Sequence, residues 1–355
     1  MDEAGEAMVG WAWRDVTRLH RQRRGSDSMD ASSARGGQRR AIVLAAGPGE
    51  RLLRLTERLT GAPLPKQYCD LAGDDETLLQ STLRRLGRHV PIDHTRVVID
   101  GRHRSRAIAQ LRRFPAADVF GQPSDCGTAV GTLVPLIDIL IDDPDAIVVI
   151  SPSDHGVLDE AVLDDAMTHL FQVAEERRAI VVLGAEPDGM ACDDGWLLPF
   201  APMRPGLRGA VQPVARYVHP AGSEDTTGLV GAGAVHSTCV VVAPGAELLA
   251  LFERLTPRLL RLFLYGAAMP PAEGSAFLDL AYDGLGSLDL ARDILSLALE
   301  LRMVVLPRQA GWSDLGSEAR LLAWLSKRRS GEMMPWPLAG GRCSRAGGYR
   351  RVHPA

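Results

Sequence analysis

From residue 41 to residue 183 the chain alternates short apolar runs with segments of helical period, and that alternation restricts the fold more than any other feature. It opens with Ala41-Ile42-Val43-Leu44-Ala45, a run of the kind that fills a buried strand. Residues 76–86 carry apolar side chains at helical spacing, 96–99 read as a strand, and 104–114 as a basic-faced helix. A short strand at Val119-Phe120 precedes a helix over 129–141. Residues 146–150 (AIVVI) are wholly apolar and are expected at the centre of a sheet. Asp159 is placed to cap a long helix ending near Arg177, and 179–183 return as a strand. Strands alternating with helices in this way predict a wound, mostly parallel α/β sheet.

After Gly184 the texture changes. Residues 185–235 are rich in Gly and Pro, with apolar runs at 196–200, 211–218 and 235–243 that read as a smaller antiparallel subregion. Helical patterns return at 246–255, 257–265 and 288–301, a last strand is expected at 303–306, and a last helix at 317–328. The expected organisation is one domain over 41–328 between two tails, 1–40 and 329–355. The first tail is Arg-, Gly- and Ser-rich and reads as disordered. Its Arg14, Arg18, Arg21, Arg23 and Arg24 leave binding to a nucleic acid or another partner as an alternative, and Met29 leaves a second start point.

With 355 residues, 46% of them hydrophobic, the chain can bury a large core. Its net charge of −4 gives no general reason to expect nucleic acid or an anionic membrane. Five cysteines, odd in number and without C-x-x-C spacing, argue against a disulfide framework and suit a reducing cytoplasm. No apolar run approaches the roughly 18–20 residues of a membrane span, and nothing apolar follows Arg23-Arg24 as an export signal would require.

The candidate chemistry begins just after the first strand. Ala46-Gly47-Pro48-Gly49-Glu50-Arg51 is a glycine-containing turn with one guanidinium, and Pro65-Lys66-Gln67 places a lysine after two prolines. Small residues let a backbone approach an anion, whose charge Arg and Lys then offset. On its own the loop is a weak signal: the third glycine of a dinucleotide fingerprint falls on Leu52, and no Gly-Lys-Ser/Thr triplet follows. Asp154 sits just past the apolar strand 146–150, at the edge where open α/β sheets bind ligands, although an aspartate there is also an ordinary turn former.

Taken together, four ordered motifs resemble those of the sugar-1-phosphate nucleotidyltransferases, and most of all the mannose-1-phosphate guanylyltransferase branch. They are Gly47-x-Gly49-x-Arg51-Leu52 with Pro65-Lys66-Gln67-Tyr68, Gln122-Pro123 with Gly127-Thr128-Ala129, Pro152-Ser153-Asp154-His155, and Gly311-Trp312-Ser313-Asp314-Leu315-Gly316-Ser317. The resemblance covers roughly residues 41–325 and implies a Rossmann-like, GT-A-like nucleotidyltransferase. It implies transfer of a nucleotidyl group from an NTP, GTP by likeness, to a sugar 1-phosphate, mannose 1-phosphate by likeness, with magnesium as cofactor. Arg51, Lys66 and Asp154 would be catalytic. Ala46, Gly47, Gly49, Gln122, Gly127 and Thr128 would bind the nucleotide, and Asp154 and Asp314 the metal. His155 is expected to pack or hydrogen-bond instead.

The sugar side departs from the pattern. Gly195, His219 and His236 fall at the sugar-contacting positions, but the family's Gly-Tyr-Gly-Tyr, Phe-x-Glu-Lys-Pro and Trp-Asn-Ser-Gly segments appear here as Asp193-Asp194-Gly195-Trp196, Tyr217-Val218-His219-Pro220 and Val235-His236-Ser237-Thr238. The loop between Arg51 and Lys66 is also longer than the family's. These departures keep open a non-catalytic relative that binds a nucleotide or NDP-sugar and regulates a partner, or an enzyme for another sugar phosphate. No nucleic acid or membrane is expected as a partner; the oligomeric state is left open, a homo-oligomer included.

Overall fold

Residues 37–190, 195–200, 211–219 and 227–331 are described by the structure, a computed structural model. Most of both expected tails, with Met29 and the tail arginines, lies outside the described residues, as do Asp193, Asp194 and Pro220.

Strand β1 (Arg39–Ala45) pairs in parallel with β2 (Thr95–Asp100) and with β4 (Ile147–Pro152), and β3 (Asp118–Gln122) extends β2 in parallel. β1 starts two residues before the expected domain edge. Arg39 is held there by an ion pair to Glu175 at 2.7 Å. β5 (Val181–Ala185) pairs in parallel with β9 (Arg302–Leu306). Between these two groups lies β8 (Val235–Pro244), antiparallel to both β4 and β5. β6 (Trp196–Pro199) and β7 (Gln212–Val218) complete a nine-stranded sheet in the order β3-β2-β1-β4-β8-β5-β9-β7-β6.

This corrects the expectation of a mostly parallel sheet: the antiparallel strands expected near 196–200, 211–218 and 235–243 do form, but as part of the same sheet. β8 is buried along almost its whole length, so a solvated satellite could not hold it. A strand buried on both faces belongs inside a covered sheet, and β8 enters the main one, making it mixed. β4 is internal, as its composition requires.

Both faces are covered by helices. α1 (Leu53–Thr60) occupies the long loop after β1. α2 (Leu78–Leu86) begins with a capping box in which Thr77 and Gln80 satisfy each other's main-chain amides. α2, α3 (Arg104–Leu111) and α5 (Glu160–Arg177) cover one face; α4 (Gly127–Asp142) covers the other. Asp159 caps α5, its Oδ1 accepting from the amides of Ala161 and Val162. After the short α6 (Thr227–Gly231), α7 (Gly245–Leu255) and α8 (Pro257–Ala268) pack beside α4, and α9 (Pro271–Asp283) follows. The expected helix over 288–301 is instead a π turn at Leu290–Ile294 and a 3₁₀ turn at Leu295–Leu297. Asp289 Oδ1 accepts from the Arg292 amide and Asp293 Oδ2 from the Asp289 amide, side-chain bonds that compete with a regular helix.

α10 (Glu318–Gly331), the last described element, lies over a third, smaller core. There Leu52, Leu55, Leu64 and Leu71 meet Leu315, Leu321, Trp324 and Leu325. The long loop after β1 is therefore a packed element whose apolar face docks on the far end of the chain.

Candidate functional site

Because β1, β3, β4 and β9 point the same way, the loops leaving their carboxyl ends gather on one edge. They enclose a cleft of about 530 Å³. Its wall includes Ala46, Gly47, Gly49 and Arg51 after β1, Lys66 before α2, Gln122 at the end of β3, Gly127 and Thr128 at the start of α4, Asp154 after β4 and Asp314 after β9. All of these were expected from the sequence, and they come from positions as far apart as 46 and 314.

The first loop is fixed from below. Gln67, nearly fully buried, donates from Nε2 to the carbonyls of Ala45 and Gly47 at 3.1 and 2.7 Å. Gly49 has φ 66° and a Cβ there would lie 2.9 Å from Pro65 Cα, so the turn needs glycine and pins the loop against the Pro65-Lys66 step. The Lys66 ammonium lies 3.3 Å from Asp154 Oδ2 and donates to the main-chain carbonyl of Asp314.

A two-residue bridge joins the loops after β4 and β9. Gly156 and Ser313 exchange both main-chain hydrogen bonds, at 2.8 and 2.9 Å, which sets Asp154 beside Asp314. His155 accepts from Trp312 Nε1 at 3.3 Å and meets that ring edge-on, in keeping with a packing role. Leu315 has φ 50°, a costly conformation for a branched residue, and its side chain is buried in the third core.

The two aspartates differ in setting. The Asp154 side chain is 27% exposed and opens into the cleft. Asp314 is 3% exposed. Its Oδ1 accepts from Arg320 Nε and from the Gly316 amide. Burial is the largest single influence and would raise the Asp314 carboxyl, but the Arg320 and His155 charges and the hydrogen bonds from Gly316 and Arg320 together outweigh it and hold it below the usual carboxylate range. Among the described residues no group of three His, Cys, Asp or Glu side chains is placed to cage a metal. A magnesium ion does not need one, since it commonly takes one or two carboxylates and fills its shell with water and phosphate oxygens. Asp154 fits that requirement.

At the other end of the cleft lies the start of α4, a 16-residue helix whose N-terminal dipole favours an anion. The sequence reading missed the strap that crosses it. Thr128 Oγ1 donates to Asp289 Oδ2 at 3.0 Å and accepts from the Leu290 amide at 2.7 Å. The Ala129 amide donates to Leu288 O at 3.0 Å. Gly127 has φ 85°, and a Cβ there would sit 2.3 Å from Leu288 O. Ser287, Asp289 and Asp125 thereby join the wall. Cys239, on a bulge of β8 with φ 54°, joins it too. The Asp289 cap was the only signal available, and nothing in the sequence pointed to Cys239.

The sugar-side residues are not on this wall. Trp196 and His236 are cross-strand partners, and their rings pack at 4.1 Å with His236 only 1% exposed. His219 stacks on Tyr217 at 4.8 Å, and Gly195 lies beneath that pair. Burial first, then the Arg320 charge, push His236 down to about 4. Gly195, His219 and His236 therefore lie off the described cleft wall, although Tyr217, on which His219 stacks, comes within 4.0 Å of the wall residue Cys239.

No family profile matches the chain. Its curated relatives include the xanthan biosynthesis protein XanB of Xanthomonas campestris pv. campestris (25% identical over 292 residues, 79% of this chain and 58% of the relative). They also include the mannose-1-phosphate guanylyltransferase ManC of Salmonella typhimurium (26% over 292 residues, with the same shares). The chain is related to the mannose-1-phosphate guanylyltransferases. It spans just over half the length of these relatives. Its fold is that of a Thermus thermophilus crystal structure titled a mannose-1-phosphate geranyltransferase (TM-score 0.66, 24% identity, 79% of this chain and 76% of that one). No described helix is long and apolar enough to cross a membrane.

Proposed function

We propose that the chain transfers a nucleotidyl group from an NTP to a sugar 1-phosphate and releases pyrophosphate. By likeness to its relatives the NTP is GTP, the sugar mannose, and the compartment the cytoplasm. One observation carries the reading: a single cleft at the carboxyl ends of the strands joins the glycine loop, Lys66, the α4 N-terminus and Asp154.

In this reading a phosphate oxygen of the sugar phosphate attacks the α-phosphorus, and the bond to the departing pyrophosphate breaks. Two anions must meet, so the chain's task is placement and charge neutralisation. Arg51 and the amides around Gly47 and Gly49 hold the β- and γ-phosphates. Lys66, freed from Asp154, swings its ammonium to the α-phosphate as a point charge. Gln122, Gly127 and Thr128 hold the base and ribose over the α4 N-terminus. Asp154 would hold magnesium, which when bound adds positive charge against the phosphates.

The test is pyrophosphate release from each NTP with magnesium and a panel of sugar 1-phosphates. Release that is greatest with GTP and mannose 1-phosphate supports the reading. Nucleotide binding without release across the panel would replace it with the regulatory one.

A further inference from the structure

Behind the Asp314 wall of this cleft lies a fixed positive charge that the family resemblance did not foresee. Arg320 sits on α10 and is 3% exposed. Its Nε donates to Asp314 Oδ1, its Nη1 lies 3.4 Å from Asp188 Oδ1 and 3.5 Å from the Met190 carbonyl, and its guanidinium carbon stands 5.9 Å from the Trp312 ring centroid. A guanidinium does not give up its proton in a protein, so this charge is present at every working pH. It is buried between two carboxylates and an aromatic face.

We propose that Arg320 claims the Asp314 carboxylate, so that the proposed cation site is served by Asp154 alone and Asp314 is a positioning residue. The inference rests on the nucleotidyltransferase reading for the purpose of the site. A divalent cation brought to Asp314 would sit beside a guanidinium bound to the same carboxylate, and like charges in a poorly solvated place repel strongly. At Asp154 the neighbouring charge is an ammonium, 3.3 Å from Oδ2, and not a buried guanidinium. Its neighbour Lys66 is a flexible ammonium that can leave for a phosphate. Asp314 instead organises two cations: Lys66 through its main-chain carbonyl and Arg320 through its carboxylate. Breaking that arrangement should expose Asp314 as a second ligand, a gain that a purely structural salt bridge would not produce.

The experiment measures Mn²⁺ alone, without nucleotide, by water-proton relaxation on the full chain, with a thermal melt of each variant beside it. Asp154→Asn should weaken Mn²⁺ at least tenfold. Asp314→Asn, which keeps an oxygen for Arg320 and Gly316, should change it by less than twofold. Arg320→Met should bind Mn²⁺ at least fivefold more tightly than wild type. A tenfold loss in folded Asp314→Asn, or no gain in folded Arg320→Met, overturns the proposal. If Arg320→Met does not fold, the two aspartate variants decide it. Because nucleotide is absent, these outcomes are separate from pyrophosphate release, whose failure would instead remove the functional reading.

Discussion

The two ends of this molecule's candidate site are built on different physical terms. On the nucleotide side, the glycine loop, Lys66, the α4 N-terminus and Asp154 leave polar groups facing an open cleft, each fixed from behind by main-chain or buried side-chain bonds. On the expected sugar side the rings form two pairs on opposite faces of the sheet, Trp196 with His236 and Tyr217 with His219, and a hydrogen bond from Tyr217 to Ser237 Oγ at 2.5 Å holds the second pair. The first is a set of polar groups open to a cleft, and the second is two aromatic pairs packed on the two faces of the sheet. A motif position therefore carries its chemistry only while the strand that bears it still turns the side chain toward the cleft.

The largest expected effect opposes the two ends directly. Arg51→Ala should lower pyrophosphate release by ~10²–10³, the usual cost of removing one stabiliser of transition-state charge. His219→Ala should leave it within about threefold, because that ring lies off the described cleft wall. Steady-state assays on both variants check the contrast, and reversed magnitudes would break it.

The next effect belongs to the buried Trp196–His236 pair. His236 is pushed down to about 4 by burial, with a contribution from Arg320. An imidazole in the unfolded chain titrates near ~6.5. Between those values the unfolded state binds more protons, so the contribution is complete above pH ~6.5 and is lost as pH falls toward 4. Roughly 3 kcal/mol should disappear across that window. Urea melts between pH 7 and pH 4.5 measure it, and His236→Phe should flatten the dependence. An unchanged slope in that variant would show that His236 is not the group responsible.

Smaller effects test the strap over α4. Gly127→Ala forces a Cβ against the Leu288 carbonyl at a positive φ and should cost about 1–3 kcal/mol. It should also weaken nucleotide binding. Thr128→Val removes the bonds to Asp289 and to the Leu290 amide and should cost roughly 1 kcal/mol. Denaturant melts and nucleotide titrations on both variants sharpen the claim that the strap shapes the nucleotide end.

The legibility of these features in the sequence follows from how local their causes are. The strand-loop unit of β1 and the apolar run of β4 are each set by neighbours in the chain, and both lie where periodicity placed them. β8 was misplaced because its run of buried residues shows burial on both faces but not which strands flank it. α9 was missed because its described side chains are largely solvated, which leaves little apolar stripe to read. The pairing of Asp314 with Arg320 is close in sequence, yet its importance depends on Asp188 and Trp312 completing the enclosure. The burial of His236 depends on Trp196, a strand away, and on Trp312, far along the chain.

The most direct test of the central claim is pyrophosphate release with GTP, magnesium and mannose 1-phosphate, run on wild type and on Lys66→Ala side by side. Lys66 links the two halves of the cleft, touching Asp154 and the carbonyl of Asp314. The account predicts release by wild type that requires the sugar phosphate and falls at least ~10²-fold in the variant. Release that persists undiminished in folded Lys66→Ala would contradict it.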